Sequence, residues 1–420
     1  MQTIENIDFS RPLEGASQGA SHDSLWQNLL SVAQSSTSDW KWREPFFKAA
    51  QKLGMPKVSP QGAYAGVKMS LVLKQLEQAC FSAAPINEID DSFDMVFSAG
   101  KLMKKPSWPC MGLDQMQRHP VAQQRYKAWV EQEKDSLALL NGALAKEAVF
   151  CRLPDGFKGK IRLLFDAGTE QGIAASRLTL WVGAGSHVQV ECLSVHSGSS
   201  HSLSLDLVDI VLEASSHVEM NWQRADKGLG FSFLRASLMK EARLDFIDLS
   251  EGALVSRLDA QVKLMQEGAF ADLRGLALLS AKQQNQTNVR VEHVAPSCQS
   301  SQLFKALLKD HSRSHFQGKI YVFPQAQKTQ AYQISRNLLL GEGAQAQSCP
   351  NLEIFADDVK ASHGSATGPV DPESLFYLLS RGIDKDTATG LLSHGFALDV
   401  LASMTEGERL ETWKAKVMRI

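Results

Sequence analysis

Residues 183–191 read GAGSHVQVE, and residues 213–221 read EASSHVEMN. Each is a turn of small residues opening into an alternating apolar–polar run, the pattern of a half-buried strand. Ser186-His187-Val188 recurs as Ser216-His217-Val218, 30 residues on. The same grammar returns in KEARLDFID (240–248), QEGAFADLR (266–274) and GEGAQAQSC (341–349), with Arg243 and Ala269 the equivalent points at intervals of 26. A repeat of about 20–50 residues marks a solenoid or a propeller, in which each unit buries its face against the next. Propeller blades need about four strands in 40–45 residues and a recurrent signature, and the sequence has no such signature. The pattern predicts a mainly β protein built on a parallel β-helix.

Outward from these repeats, RLTLWV (177–182), HVQVECLSV (187–195), SLSLDLVDIVL (202–212), HVEMNW (217–222), RLDFIDL (243–249) and IYVF (320–323) alternate in the same way. No helical stretch of about 10–15 residues separates them, which argues against a doubly wound sheet. Twelve of the 30 glutamines fall between 281 and 350, a density compatible with polar ladders between coils or with a solvated surface. The solenoid is expected over 149–368.

The flanks read as helical. Before the solenoid (1–148), Ser24–Ala33 and Gly66–Phe81 carry apolar residues at three- and four-residue spacing. Pro120 opens the segment 121–144, with Val121, Tyr126, Trp129 and Val130 on one stripe. Five of the eight tryptophans lie in this third of the chain as packing anchors, and Asp39–Phe46 reads as a tether laid over another surface. After it (369–420), Asp371-Pro372-Glu373 caps a helix that Gly382 closes, LLSHGFALDVLASM (391–404) suggests a further short pair, and Thr405 with Glu408 forms a capping box before the last helix.

Composition narrows the function. A prior of ~150 residues per domain would give a chain of 420 residues two or three domains. Lys plus Arg is 44 against 46 for Asp plus Glu, a net charge of −2. Without a basic excess, the counterion-release attraction to nucleic acid is missing. The N-terminus lacks the basic and apolar regions of a signal peptide. The most apolar run, 137–150, is interrupted by Asn141, Lys146 and Glu147, which argues against a membrane span. Cys80, Cys110, Cys151, Cys192, Cys298 and Cys349 are scattered, and in a chain expected to be cytoplasmic they read as six reduced thiols.

Nucleotide and metalloprotease motifs are missing: no GxxxxGK[ST] or HExxH occurs, and Gly183-Ala184-Gly185 leads into a strand instead of a helix. An autonomous ATPase, protease or dehydrogenase is therefore not expected. The densest polar group is ADDVKASHG (356–364), which places Asp357, Asp358, Lys360 and His363 together. Imidazole ligates iron or zinc when neutral, and a neighbouring carboxylate can orient the ring. Asp-Asp capping a turn beside a loop histidine gives the same spacing. A second group, FQGKIYVFP onward from Phe316, brings Lys319, Lys328 and Arg336 as an anion site or a solvated edge. His311 and His315 would share a face if SSQLFKALLKD continued as a helix; His187 and His217 could stack across repeats.

Residues 317–383, in particular QGKIYVFPQAQKTQAYQISRNLLL and LEIFADDVKASHGSATGPVDPESLFYLLSRGI, closely resemble the SufB/SufD family of iron–sulfur cluster assembly scaffold proteins. The resemblance implies a right-handed parallel β-helix between helical regions in a non-enzymatic cytoplasmic scaffold. It also implies pairing with a SufB-like subunit through the β-helix, and capture of a SufC-like ABC ATPase by the C-terminal helices. There Leu375, Phe376, Tyr377, Leu379, Arg381 and Ile383 are the expected contacts. A homodimer stays open, and neither nucleic acid nor membrane is an expected partner. His363 occupies the position implicated in building a transient iron–sulfur cluster shared with the partner. Asp357, Asp358 and Lys360 match the motif and are assigned to the turn and interface. Many relatives have cysteine where Ala361 stands here, so a thiolate role at that point is lost. Two other readings remain: a polysaccharide-active β-helix enzyme using Asp357 and Asp358, and a solenoid adaptor with no metal role. Adjacent strand residues face opposite ways, which makes the ~5–10 Å spacing of paired catalytic carboxylates awkward.

Overall fold

From Ala148–Leu153 to Val359–Pro369, successive strands alternate between two sheets, and each strand from Ile173–Val182 to Thr329–Leu339 pairs in parallel with the strand two before and two after it. The result is a parallel β-solenoid of about seven turns, with helices in both flanks. This computed structural model describes residues 26–27, 30, 40–56, 64, 85–86 and 88–420, with short gaps at 117, 170–171, 199–201, 226 and 405–407. Most of the helical expectation for Ser24–Ala33, all of Gly66–Phe81, and Thr405 of the capping box lie outside these residues.

The repeated turn has a backbone cause. Gly185, Ser215, Glu241, Gly268, Ser297 and Lys328 all have φ between 55° and 75°. Each stands two residues before one of the register partners His187, His217, Arg243, Phe270, Gln299 and Gln330. The coil length is therefore 30, 26, 27, 29 and 31 residues in turn, and Phe270, one residue beyond Ala269, is the equivalent point. A left-handed residue other than glycine costs roughly 1 kcal/mol or more. Corner hydrogen bonds hold it: Ser215 N donates to Lys240 O (2.8 Å), Glu241 N to Glu267 O (3.0 Å), Ser297 N to Gln327 O (2.8 Å) and Lys328 N to Asp358 O (2.6 Å).

Alternation then sorts the side chains. In His187–Val195 the even positions Val188, Val190 and Cys192 are buried in the interior, and burial raises the Cys192 thiol well above its ordinary value. His311 and His315 belong to this scheme too, because SSQLFKALL is a strand and the two histidines do not share a helix face.

The N-terminal flank packs on the nine-stranded sheet. Helix α1 (Trp40–Leu53) replaces the expected tether, burying Trp42 and Phe46 while Pro45 sits inside it. Segment 121–144 is broken into α2 (Pro120–Gln132) and α3 (Ser136–Leu144). The break has a reason: Asp135 caps α3 through Leu137 N and Ala138 N, and also meets Arg257 Nη2 at 2.9 Å, while Glu133 meets Arg235 Nε at 2.7 Å. The flank is not purely helical. Met95–Ser98, Lys101–Lys104 and Cys110–Met111 extend the two sheets, the last two in antiparallel pairings. Antiparallel register sets Cys110 opposite Cys151, and the two form a disulfide with Cα atoms 4.2 Å apart. That corrects the six-thiol expectation, which had only a 41-residue separation to judge by.

At the other end α4 (Pro372–Ser380), α5 (Lys385–Leu401) and α6 (Glu408–Arg419) follow the last strand, with Asp371 and Asp384 as N-caps of α4 and α5. Val400, Leu401, Trp413 and Val417 cover an apolar patch of Ile247, Leu249, Leu276, Leu278 and Leu307 on the ten-stranded sheet. Among the described residues no helix is long and apolar enough to cross a membrane.

Candidate functional site at the last coil

One interior column runs the length of the ten-stranded sheet. Val190, Met220, Phe246, Leu273, Gln302, Gln333 and His363 are successive register partners. The first four are buried and apolar; Gln302 and Gln333 are equally buried but polar, and His363 is exposed on the last rung. Gln333 Nε2 donates to Gln302 Oε1 at 2.7 Å, an interior glutamine ladder of the kind the composition suggested. Gln302 Nε2 and Gln333 Oε1 have no hydrogen-bond partner among the described residues. Each such buried amide atom costs about 1–3 kcal/mol, so the interior changes character where the coils end.

Gly318 makes room for this ladder. A Cβ there would lie 2.2 Å from Gln333 Nε2, so any side chain at this position of FQGKIYVF would displace the amide of the glutamine below His363. Ser335 Oγ meets Ser348 Oγ at 2.9 Å, and Asn337 Nδ2 donates to Ser348 Oγ (3.1 Å) and Thr367 Oγ1 (3.0 Å). Thr367 of the last strand is thus tied through Asn337 to Ser348 on the other sheet, while Val359 and Ala361 pack against Ile320, Val322 and Ala331.

The other motif residues are separated by the pleat. Asp358 is the terminal acceptor of the corner ladder, and its own N–H donates to Gln327 Oε1 at 2.9 Å. Asp357 O accepts from Val359 N, and both carboxylates are exposed. Lys360 pairs with Gln330 and His363 with Gln333, so the lysine and the histidine lie on opposite faces of the strand. Lys319, Lys328 and Arg336 do not converge: Lys319 binds Glu353 at 2.6 Å on the nine-stranded sheet, Lys328 holds a corner, and Arg336 is exposed on the other sheet.

Directly after the last strand, α4 buries none of its residues. Phe376 and Tyr377 are 70% and 57% exposed, and Leu379 is exposed beside them. Arg381 lies over the Tyr377 ring at 5.0 Å, while Leu375 and Ile383 are half-buried. Gly318 and Gln333 lie inside the segment read onward from FQGKIYVFP but were given no role there, and Gln302 lies outside it. Their signal was present as a polar residue at an inward position of an alternating strand, but only the register identifies which positions are inward.

The chain is thus a two-sheet parallel solenoid whose last coil is polar and carries an exposed histidine, followed by a helix with exposed apolar side chains. The family model for the SUF system FeS cluster assembly SufBD core domain matches residues 165–396, and the chain belongs to this family. It is 36% identical over 167 residues to iron–sulfur cluster assembly protein SufD of Escherichia coli, covering 40% of this chain and 38% of that one. An iron–sulfur cluster assembly SufBD family protein of Mycobacterium leprae is 34% identical over 209 residues, 47% of this chain and 53% of its own. A SufBD family protein of Synechocystis is 31% identical over 195 residues, covering 46% and 43%. These matches span about half the length of the curated relatives, or less.

Proposed function

We propose that this chain is a non-enzymatic cytoplasmic scaffold subunit of a Suf-type iron–sulfur cluster assembly complex. In this reading residues 149–368 pair with a SufB-like subunit at the free end, and 369–420 hold a SufC-like ABC ATPase. The free end carries the proposal. Among the described residues, strands Gln345–Ile354 and Val359–Pro369 each have a neighbour on one side only, and unpaired edges recruit further strands. The cluster is cargo, built transiently and shared with the partner, whose ligands complete the set. His363 would supply one imidazole, and Gln333, its register partner one rung below with a buried Oε1, would accept a ring N–H and so fix which nitrogen faces iron. Asp357 and Asp358 shape the corner, and Lys360 faces the interface from the other side of the strand. The ATPase docks on Leu375, Phe376, Tyr377, Leu379, Arg381 and Ile383. Closure of the ATPase would pull α4, and the ion pair of Lys305 with Asp399 (2.7 Å) would pass that force from α5 to the sheet.

Anaerobic co-expression with and without the two partner proteins, followed by iron, sulfide and visible-absorbance measurement, tests the reading. His363→Ala is expected to abolish cluster yield while the complex still co-purifies. Wild-type cluster from that variant would remove the site assignment, and cluster-free complexes throughout would favour an adaptor with no metal role.

A further inference from the structure

His187 and His217 are register partners on adjacent strands of the ten-stranded sheet, on the face turned away from the interior. Their rings stack, with centroids 4.6 Å apart and planes at 22°. Glu219, the next residue along that face, brings Oε1 to 2.7 Å from His187 Nε2. One donor atom from each of His187, His217 and Glu219 lies within 4.8 Å of the others. Asp245, one coil on, sets Oδ2 2.6 Å from His217 Nε2 and is itself gripped by Arg243 through Nε (2.8 Å) and Nη2 (2.9 Å). Five rungs at about 4.8 Å, or roughly 24 Å, separate His217 from the rung of Lys360 and His363.

We propose that His187, His217 and Glu219 form a binding site for a divalent first-row transition-metal ion, distinct from the last coil. Two imidazoles and one carboxylate are the donor set that zinc, cobalt(II) and iron(II) accept. Tetrahedral coordination at 2.0–2.1 Å places donors about 3.4 Å apart, so the three atoms must close by little more than 1 Å. The side chains are free to do so, being 49%, 28% and 31% exposed. Asp245, fixed by Arg243, orients the His217 ring from behind, as carboxylates do for metal-bound histidines. Glu219 also borders a cleft of about 290 Å³ with Gln189, Asn221, Arg162 and Arg409, which leaves the remaining coordination positions open to water or a small anion.

The test uses the full-length chain, stripped with a chelator and titrated with Co²⁺ by equilibrium dialysis and visible absorption, with Zn²⁺ as competitor. One equivalent is expected to bind. His187→Ala and His217→Ala should each weaken it at least tenfold, the double variant should remove it, Glu219→Gln should weaken it, and His363→Ala should leave it unchanged. Circular dichroism confirms folding, and the near-isosteric Glu219→Gln variant keeps the test valid if an alanine variant fails to fold. No uptake by the wild type, or undiminished uptake by the double histidine variant, overturns the proposal.

Discussion

Gly318 lacks a side chain because Gln333 occupies the space one would need, its Nε2 only 2.2 Å from the site of a Cβ. Gly318→Ala therefore forces the glutamine out of its bond to Gln302, and overpacking of this kind costs about 1–3 kcal/mol. Urea melts should show that loss, and Gln333→Ala in the same chain should recover most of it, since the two positions share one volume. His293 makes a second prediction. It is fully buried with Nε2 2.8 Å from Ser300 Oγ, and burial pulls its pKa down from 6.5 to about 4. The unfolded chain therefore binds this proton first, so the stability is present above pH 6.5 and is lost as pH falls toward 4. About 1.4 kcal/mol per unit puts the full loss near 3 kcal/mol. Comparing His293→Gln with wild type by denaturant titration at pH 7 and pH 4.5 isolates this histidine from the carboxylates; the variant should lose less stability over that interval.

At the scale of elements, the C-terminal helices divide into a fixed pair and a free one. Lys305, whose side chain is 2% exposed, donates to Phe396 O (2.6 Å) and Asp399 Oδ2 (2.7 Å), locking α5 to the sheet. Charged hydrogen bonds of this kind are worth about 1.5–3 kcal/mol, so Lys305→Met should speed amide exchange across α5 and α6 while interior strands keep their protection. Because α5 and α6 also cover Ile247, Leu276 and Leu307, removing 371–420 would bare an apolar patch as well as delete α4. The cleaner variant is Phe376→Ser with Tyr377→Ser, which touches only exposed side chains of α4; it should leave the melting temperature unchanged and abolish co-purification of the ATPase. The strands were legible from sequence because the two-residue period survives in nearly every coil. The antiparallel strands at 95–111, the helix break at Glu133–Asp135 and the Cys110–Cys151 disulfide were not. The strand at 95–98 pairs with one 68 residues on, the disulfide spans 41, and Glu133 and Asp135 meet arginines 102 and 122 residues away; nothing local announces those pairings. His363 was legible as a motif residue, but the glutamine column beneath it required the register.

The whole molecule has two ends, and they are finished differently. At the first, Lys101–Lys104 and Cys110–Met111 close the sheets in antiparallel fashion, with Lys101 and Lys104 on the edge strand. Charged edge residues are a standard guard against unwanted strand pairing. At the last, the edge strand Val359–Pro369 carries one charge, Lys360 near its start, and beyond it residues 361–368 read ASHGSATG, exposed over most of their length. Gly364 and Gly368 there have ordinary φ values and open space around an added Cβ, so neither the turn geometry nor the packing of this chain demands glycine. What glycine on a bare edge does allow is close approach by another backbone. Gly364→Lys should therefore fold as the wild type does, with stability changed by only about 0.5 kcal/mol, as for a surface substitution. It should nonetheless block capture of a SufB-like subunit, and abolish any self-association of the isolated chain seen by sedimentation at rising concentration. If the lysine variant still captures its partner at wild-type affinity, the free edge is not the docking surface, and His363 would then sit on an exposed strand that no second subunit completes.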